Sequence, residues 1–416
     1  MRNTYKSIWS CVIAGLVAVS MVSGCKDTPT DGPGKKEEGG DKGNKSDEAA
    51  GSYKFNKVAI PDAADFRGLA VSGNGDVYVA TNDGTKLFKV AGADAAAADK
   101  YAQVNLGDTG LDGTPGKSKL AGAVVVNKVV PTSTGALVEV AVDAKGTPNE
   151  GNGVGLVEGG NWVAAWDNSK AGAHVAFGGA TARSDAYNKA LKAVATLVSG
   201  EDEMPLLFKR DYGYFLYGKA DAKLDKWIGL KSTSSFSNNV FATMAGEDAL
   251  IVDANFEVRL FPKASFNTNN PNTETFNPAA AVKAWNLKGK TNNSVSAVKF
   301  ADGKLYIGLR STKDNADATG GVIVYSYTPA AEGKAASLVM ADAKVLEAWT
   351  GTFVRDLAVN GSNVYAVTKE GLLAVGADGS KGDALEVEGL DNAIKAQFAG
   401  DKIVALTQEG LFVGSK

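Results

Sequence analysis

The segment "VRDLAVNGSNVYAVTKEGLLAV" (354–375) has near copies far away in the chain. "FRGLAVSGNGDVYVATNDGTKLFKV" begins at Phe66, "VSAVKFADGKLYIGLR" at Val295 and "AIKAQFAGDKIVALTQEGLFVG" at Ala393. Each copy follows one plan: an alternating run, a glycine-containing turn and a β-branched or aromatic run. A second polar turn and another apolar run follow where the copy is long enough. This repetition constrains the fold more than any other feature. A unit of this size cannot bury its own apolar face, so successive copies must stack on one another. Gly73 and Gly75, Gly303, Gly361 and Gly400 fill the first turn, while Asp83-Gly84, Glu370-Gly371 and Glu409-Gly410 fill the second. Such pairs between alternating runs mark hairpins, because glycine adopts positive φ without Cβ strain.

Weaker copies occupy 122–146, 194–218 and 241–261, so units start near residues 65, 121, 193, 238, 294, 353 and 392. A fourth run follows the third in successive units: "KYAQVNL", "NWVAAW", "DKWIGL", "AVKAWNL", "KVLEAW" and "ALEVEGL". Trp166, Trp227, Trp285 and Trp349 recur near the end of this run; the β-propellers that these repeats resemble use such aromatics for packing between neighbouring sheets, which is the expectation here over ligand stacking. The last unit has no fourth run, but an orphan run, "SYKFNKVAI" (52–60), precedes the first unit. If it completes the last sheet, the ring closes and its open edges disappear. These local signatures resemble the NHL- or YVTN-type repeats of β-propellers across 52–416. Their pattern is degenerate, so the resemblance speaks for architecture and not ancestry. The expectation is an all-β, seven-bladed β-propeller of four-stranded antiparallel sheets, with the ring closed by the N-terminal strand. One stretch admits two readings: in 185–200, Tyr187, Leu191, Val194 and Val198 stand at helical spacing, while the second half also fits a first strand. Residues 167–189, which include His174, read as an inserted connection.

The N-terminal part reads differently. Residues 1–24 combine Arg2 and Lys6 with an apolar stretch (8–22) of signal-peptide type. The "VSGC" at 22–25 resembles the lipobox of bacterial lipoproteins, which implies lipidation of Cys25 and cleavage just before it. An ordinary signal peptide or a retained anchor is the other reading. Residues 25–51 hold no aromatic or large aliphatic side chain, so they cannot offset the entropy of ordering and read as a tether. At roughly 5–6 Å times the square root of residue number, the tether reaches about 30 Å. The expected location is therefore the cell envelope, lipid-anchored, with the outer membrane as default and the periplasmic or surface-facing side open. "CKD" (25–27) only partly resembles the surface-export signal of Bacteroidetes lipoproteins, because Thr28 stands where a second acidic residue is wanted.

Beyond Cys11 and Cys25 the chain has no cysteine, and His174 is its only histidine. Disulfides, thiolate metal sites and a cysteine nucleophile are thereby excluded from 52–416. With a net charge of −3 and interspersed signs, no nucleic-acid partner is expected. The propeller resemblance implies that the first strand of each sheet lines a central channel. Arg67 and Arg355 open equivalent strands ("FRGLAV", "VRDLAV"), and two such arginines either clamp a carboxylate or phosphate or pair with neighbours such as Asp65 or Asp356. Asn239 and Asn293 stand at the openings of two further units, and Asp391, Asn392 and Lys395 lie in the last. The candidate ligand-binding residues are therefore Arg67, Arg355, Asp356, Asn239 and Asn293, with no catalytic residue, metal ligand or cofactor assigned. Propeller lactonases hold calcium through Glu, Asn and Asp, but no Glu opens a first strand here. "DTGLDG" (108–113) and "DNADATGG" (314–321) lack the ligand spacing of calcium loops and read as solvated hairpins. The expected function is a membrane-anchored binding or scaffolding module for a protein or a small extracellular ligand. A calcium-dependent, lactonase-like hydrolase is the alternative.

Overall fold

Strands begin where the repeat predicts them, and glycine turns them. Gly246, Gly303, Gly361 and Gly400 each adopt φ between 59° and 69° at the first hairpin of their unit, a region that side chains with a Cβ disfavour. The computed structural model describes residues 52–94, 101–106, 123–143, 151–167, 193–199, 202–208, 212–217, 226–231, 240–253, 258–261, 274–276, 293–311, 320–341 and 349–416. These residues form seven sheets, and in six of them four antiparallel strands follow one another in chain order. The first strands are Gly68–Val71, Ala123–Pro131, Ala193–Ser199, Val240–Ala245, Asn293–Ala301 and Asp356–Asn360, which open blades 1 to 6. Lys395–Ala399 opens the closing sheet. Each first strand touches the next, and Lys395–Ala399 returns to Gly68–Val71, so the first strands surround a common axis.

The closing sheet joins the two ends of 52–416. Tyr53–Lys57 pairs antiparallel with Leu411–Ser415, placing Phe55 opposite Gly414. On its outer side Tyr53–Lys57 also pairs, in parallel, with Val387–Glu388. This corrects the expectation of seven four-stranded sheets: there are six four-stranded blades, not seven, and the closing sheet has five strands. The difference arises in "ALEVEGL". Blade 6 takes its fourth strand from Lys381–Ala384, and the two residues Val387 and Glu388 cross over to cover the exposed edge of Tyr53–Lys57. An edge left open offers unpaired N–H and C=O groups to any passing strand. Two other fourth strands also lie upstream of their expected runs, at Glu274–Phe276 in blade 4 and Ser337–Met340 in blade 5. Residues 281–287 and 342–348 lie outside the described residues.

Sheet faces decide the core. In blade 1, Val77 and Val79 pack toward the closing sheet with Val404, Leu406 and Leu411. Tyr78 and Ala80, which alternate with them, pack toward blade 2 with Val126, Val138 and Val157. Because side chains alternate across a strand, a strand held between two neighbouring sheets needs apolar residues at every position. That is why Val77–Thr81 is buried throughout and why its sequence lacks polar alternation. The seams between blades 4 and 5, blades 5 and 6, and blade 6 and the closing sheet follow the same rule. Trp349 fills the seam of blades 5 and 6: it is fully buried, and its indole Nε1–H donates to the carbonyl of Gly379 at 2.9 Å. The expected packing role therefore holds for Trp349. The side chains of Trp166 and Trp227, and all of Trp285 and His174, lie outside the described residues. So do residues 185–192, while 193–199 form a strand. Residues 1–51 lie outside as well. Among the described residues no helix is long and apolar enough to cross a membrane.

Candidate functional site

The first strands converge on an axial cavity of about 270 Å³, with lining residues from blades 1, 2, 4, 5 and 6 and from the closing sheet. Backbone pairing fixes which side chains reach it. The amides of Arg67, Arg355 and Ile394 donate to Ala80, Val367 and Leu406, respectively, which makes the three residues equivalent around the ring. Gly68, Asp356 and Lys395 follow them, so these three residues share the next ring position, and all three line the cavity. At that position blade 1 carries no side chain, blade 6 a carboxylate and the closing sheet between them an ammonium.

Two bulges add polar groups. In blade 2, Asn127 is skipped between the pairs Val126–Val140 and Lys128–Glu139. In blade 5, Ser296 is skipped between Val295–Leu309 and Ala297–Gly308. A bulge re-aims its extra residue, and here both extra residues line the cavity. Beside Asn127, Lys128 Nζ lies 3.4 Å from Glu139 Oε2. Glu139 is only 3% exposed; burial raises its carboxyl above the usual range, and the Lys128 ammonium opposes the rise. Ser296 Oγ is buried and meets no hydrogen-bond partner among the described residues.

The two arginines act separately. Arg67 lines the cavity, but its guanidinium donates to the Asp83 carboxylate in the second turn of its own blade. Both side chains are about half exposed or more, so this pair contributes little to stability. Arg355 donates from Nη1 to the carbonyl of Ala393, 3.0 Å away in the segment that leads into the closing sheet. Neither partner is Asp65 or Asp356, the neighbours that the sequence suggests. Asp356 is 8% exposed and lines the cavity, and its carboxylate makes no hydrogen bond or ion pair among the described residues. Asn293 begins the first strand of blade 5 opposite Ser311, its side chain being outside the described set, as is the whole of Asn239.

Gln397 closes the wall of the cavity. Its side-chain Oε1 accepts from the amide of Val71 at 2.6 Å, and its Nε2 donates to the carbonyl of Leu69 at 3.2 Å. One amide thus pairs with the backbone of blade 1 across the seam where the ring closes. Sequence reading did not select Gln397, Lys128, Lys299, Asn127 or Ser296. Lys395 was placed in its unit without a role. The only available signal was the alignment of "VRDLAV" with "AIKAQF", which puts Asp356 and Lys395 in register.

The described residues contain no group of three or more His, Cys, Asp or Glu side chains that could hold a metal ion. Of the cavity's lining residues, Asp356 is the one carboxylate, against Arg67, Lys128, Lys299 and Lys395. Chemically, the site can accept hydrogen bonds or a cation at Asp356 and can offer ammonium donors on either side of it.

The architecture defines a β-propeller. No protein-family model matches the sequence, and no curated protein does. A streptogramin B lyase structure superposes with a TM-score of 0.51 at 11% identity, covering 88% of this chain and 99% of that one. The YCF48 structure bound to D1 peptide gives 0.49 at 11% identity over 88% and 95% of the two chains. Virginiamycin B lyase from Staphylococcus aureus gives 0.49 at 9% identity over 88% and 100%. At such identities the likeness is one of fold.

Proposed function

We propose that this chain is a binding or scaffolding module of the cell envelope, tethered through a lipid on Cys25 by residues 25–51. Its ligand, a small extracellular molecule or a segment of a protein, sits in the axial cavity. The observation that carries this reading is the convergence of six sheets' first strands on a cavity lined by Asp356, a carboxylate with no partner among the described residues. Ligand sites on such scaffolds combine a shaped concavity with a few placed polar groups. The calcium-dependent hydrolase reading is disfavoured by charge. Asp356 is the one carboxylate among the lining residues, whereas a calcium ion takes six to eight oxygen ligands, and Lys299 and Lys395 add positive charge beside it. The test is purification of the protein from native membranes after mild cross-linking, beside a variant with Asp356→Ala and Lys395→Ala. A partner or small molecule recovered with the parent and lost with the variant supports the module. Calcium-stimulated lactone hydrolysis abolished by chelation would refute it in favour of the enzyme. The anchor has its own test: Cys25→Ser should move the protein from the membrane fraction to the soluble fraction. Protease treatment of intact cells then reports which side of the membrane it faces.

A further inference from the structure

Asp356 and the lysines beside it face the cavity without pairing with one another. A carboxylate that no protein donor or cation already holds is open to a ligand's donors or cation. This one is 8% exposed, and no donor or cation among the described residues contacts it. Blade 6, which carries it, lies between blade 5 and the closing sheet, each of which contributes a lysine to the same cavity: Lys299 and Lys395. Among the described residues neither lysine makes an ion pair or a side-chain hydrogen bond, although Lys395 shares the ring position of Asp356 on the adjacent strand. The cavity therefore presents both signs of charge, on adjacent first strands and not paired with one another. Ser296 Oγ adds a buried hydroxyl that also lacks a partner among the described residues.

From this arrangement we infer that the cavity takes a small zwitterion of the amino-acid or dipeptide class. The ligand's ammonium meets Asp356, and its carboxylate meets Lys395 and Lys299. A purely cationic ligand is repelled by the two lysines, and a purely anionic one places its charge beside Asp356. Only a molecule with both charges satisfies both walls. The volume, about 270 Å³, lies at the small end of ligand sites and suits a single residue or two. This inference rests on the binding-module reading of the same cavity.

Calorimetric titration of the protein with the full set of proteinogenic amino acids and with Ala-Ala tests it. The best binder is then compared with its N-acetylated and C-amidated derivatives. Each derivative should bind about ten- to hundredfold more weakly, the range expected for losing a hydrogen-bonded charge. In Asp356→Asn the penalty for N-acetylation should vanish, and in Lys395→Gln with Lys299→Gln the penalty for amidation should vanish. Far-UV circular dichroism and melting of both variants should match the parent, which separates lost recognition from lost folding. Binding indifferent to both modifications overturns the inference, as does failure of every amino acid and of Ala-Ala to bind. In either case the binding-module reading stands or falls separately, on the cross-linking experiment above.

Discussion

Phe55 closes the ring by packing its ring over a glycine. It stands opposite Gly414 in the pair of strands that joins the two ends of the domain. A Cβ placed on Gly414 would lie 2.7 Å from two atoms of the Phe55 ring and 2.9 Å from a third. Phe55 is 7% exposed and also packs in the seam with blade 6, where Ala358 and Leu372 are buried. Phe55→Ala should cost about 3–5 kcal/mol, the range for deleting a buried phenylalanine ring. Gly414→Ala should cost about 1–3 kcal/mol through overpacking, since its backbone lies outside the positive-φ region and the ring is the obstacle. Independent sites would give the sum of the two, about 4–8 kcal/mol. The contact predicts otherwise. Without the ring the new methyl has room, so the double variant should be no less stable than Phe55→Ala alone, a coupling of about 1–3 kcal/mol. Urea unfolding of the parent, both single variants and the double variant, with unchanged m-values, measures that coupling. Additivity within about 0.5 kcal/mol would refute the contact and, with it, this account of how the ring is latched.

Replacing Trp349 by Phe removes the indole donor to the Gly379 carbonyl and leaves part of the seam between blades 5 and 6 unfilled. A loss of about 1–3 kcal/mol is expected in the same urea assay. Gln397→Met retains side-chain bulk but cuts both hydrogen bonds to blade 1, so the Val71 amide should exchange with deuterium faster while amides inside blade 4 keep their rates. Glu139 should titrate above the ordinary carboxylate range when followed by carboxyl NMR. Lys128→Met should raise it further, because the ammonium is what opposes burial. A raised folded-state pKa means that, as pH climbs, the unfolded carboxyl loses its proton first. The contribution of Glu139 to stability is thus greatest below the unfolded pKa and declines up to the folded pKa, the reverse of a salt-bridged carboxylate with a depressed pKa.

Much of the propeller is legible in the chain because its units repeat their turn chemistry. Gly361 and Gly400 look alike in sequence and adopt nearly the same positive φ, since a tight hairpin demands it of both. The fourth strands are less legible. Being outermost, they pack on one neighbour only, so little selects "SLVM" over the Trp-containing run that follows it. Val387–Glu388 shows the limit more sharply: two residues in extended conformation can pair with either of two edges, and only the position of Tyr53–Lys57 decides which. The site is less legible again. Arg67 and Arg355 are equivalent in sequence and in backbone, yet one meets a carboxylate in its own blade and the other a carbonyl in the segment that leads into the next sheet. Their neighbours differ, and a repeat pattern carries no information about neighbours.

By itself, the sequence determined the all-β class, the hairpin positions and the closure of the domain by its own first strand. All three follow from local rules: period-two alternation, glycine at positive φ, and the need to cover an edge. The tertiary structure alone decided that closure uses five strands. It alone left Asp356 and Lys395, which the repeat already aligns, unpaired with one another, and brought Asn127 and Ser296 to the cavity through bulges. Those outcomes depend on register between strands hundreds of residues apart and on which charge finds a partner. Neither is encoded in any short stretch of the chain.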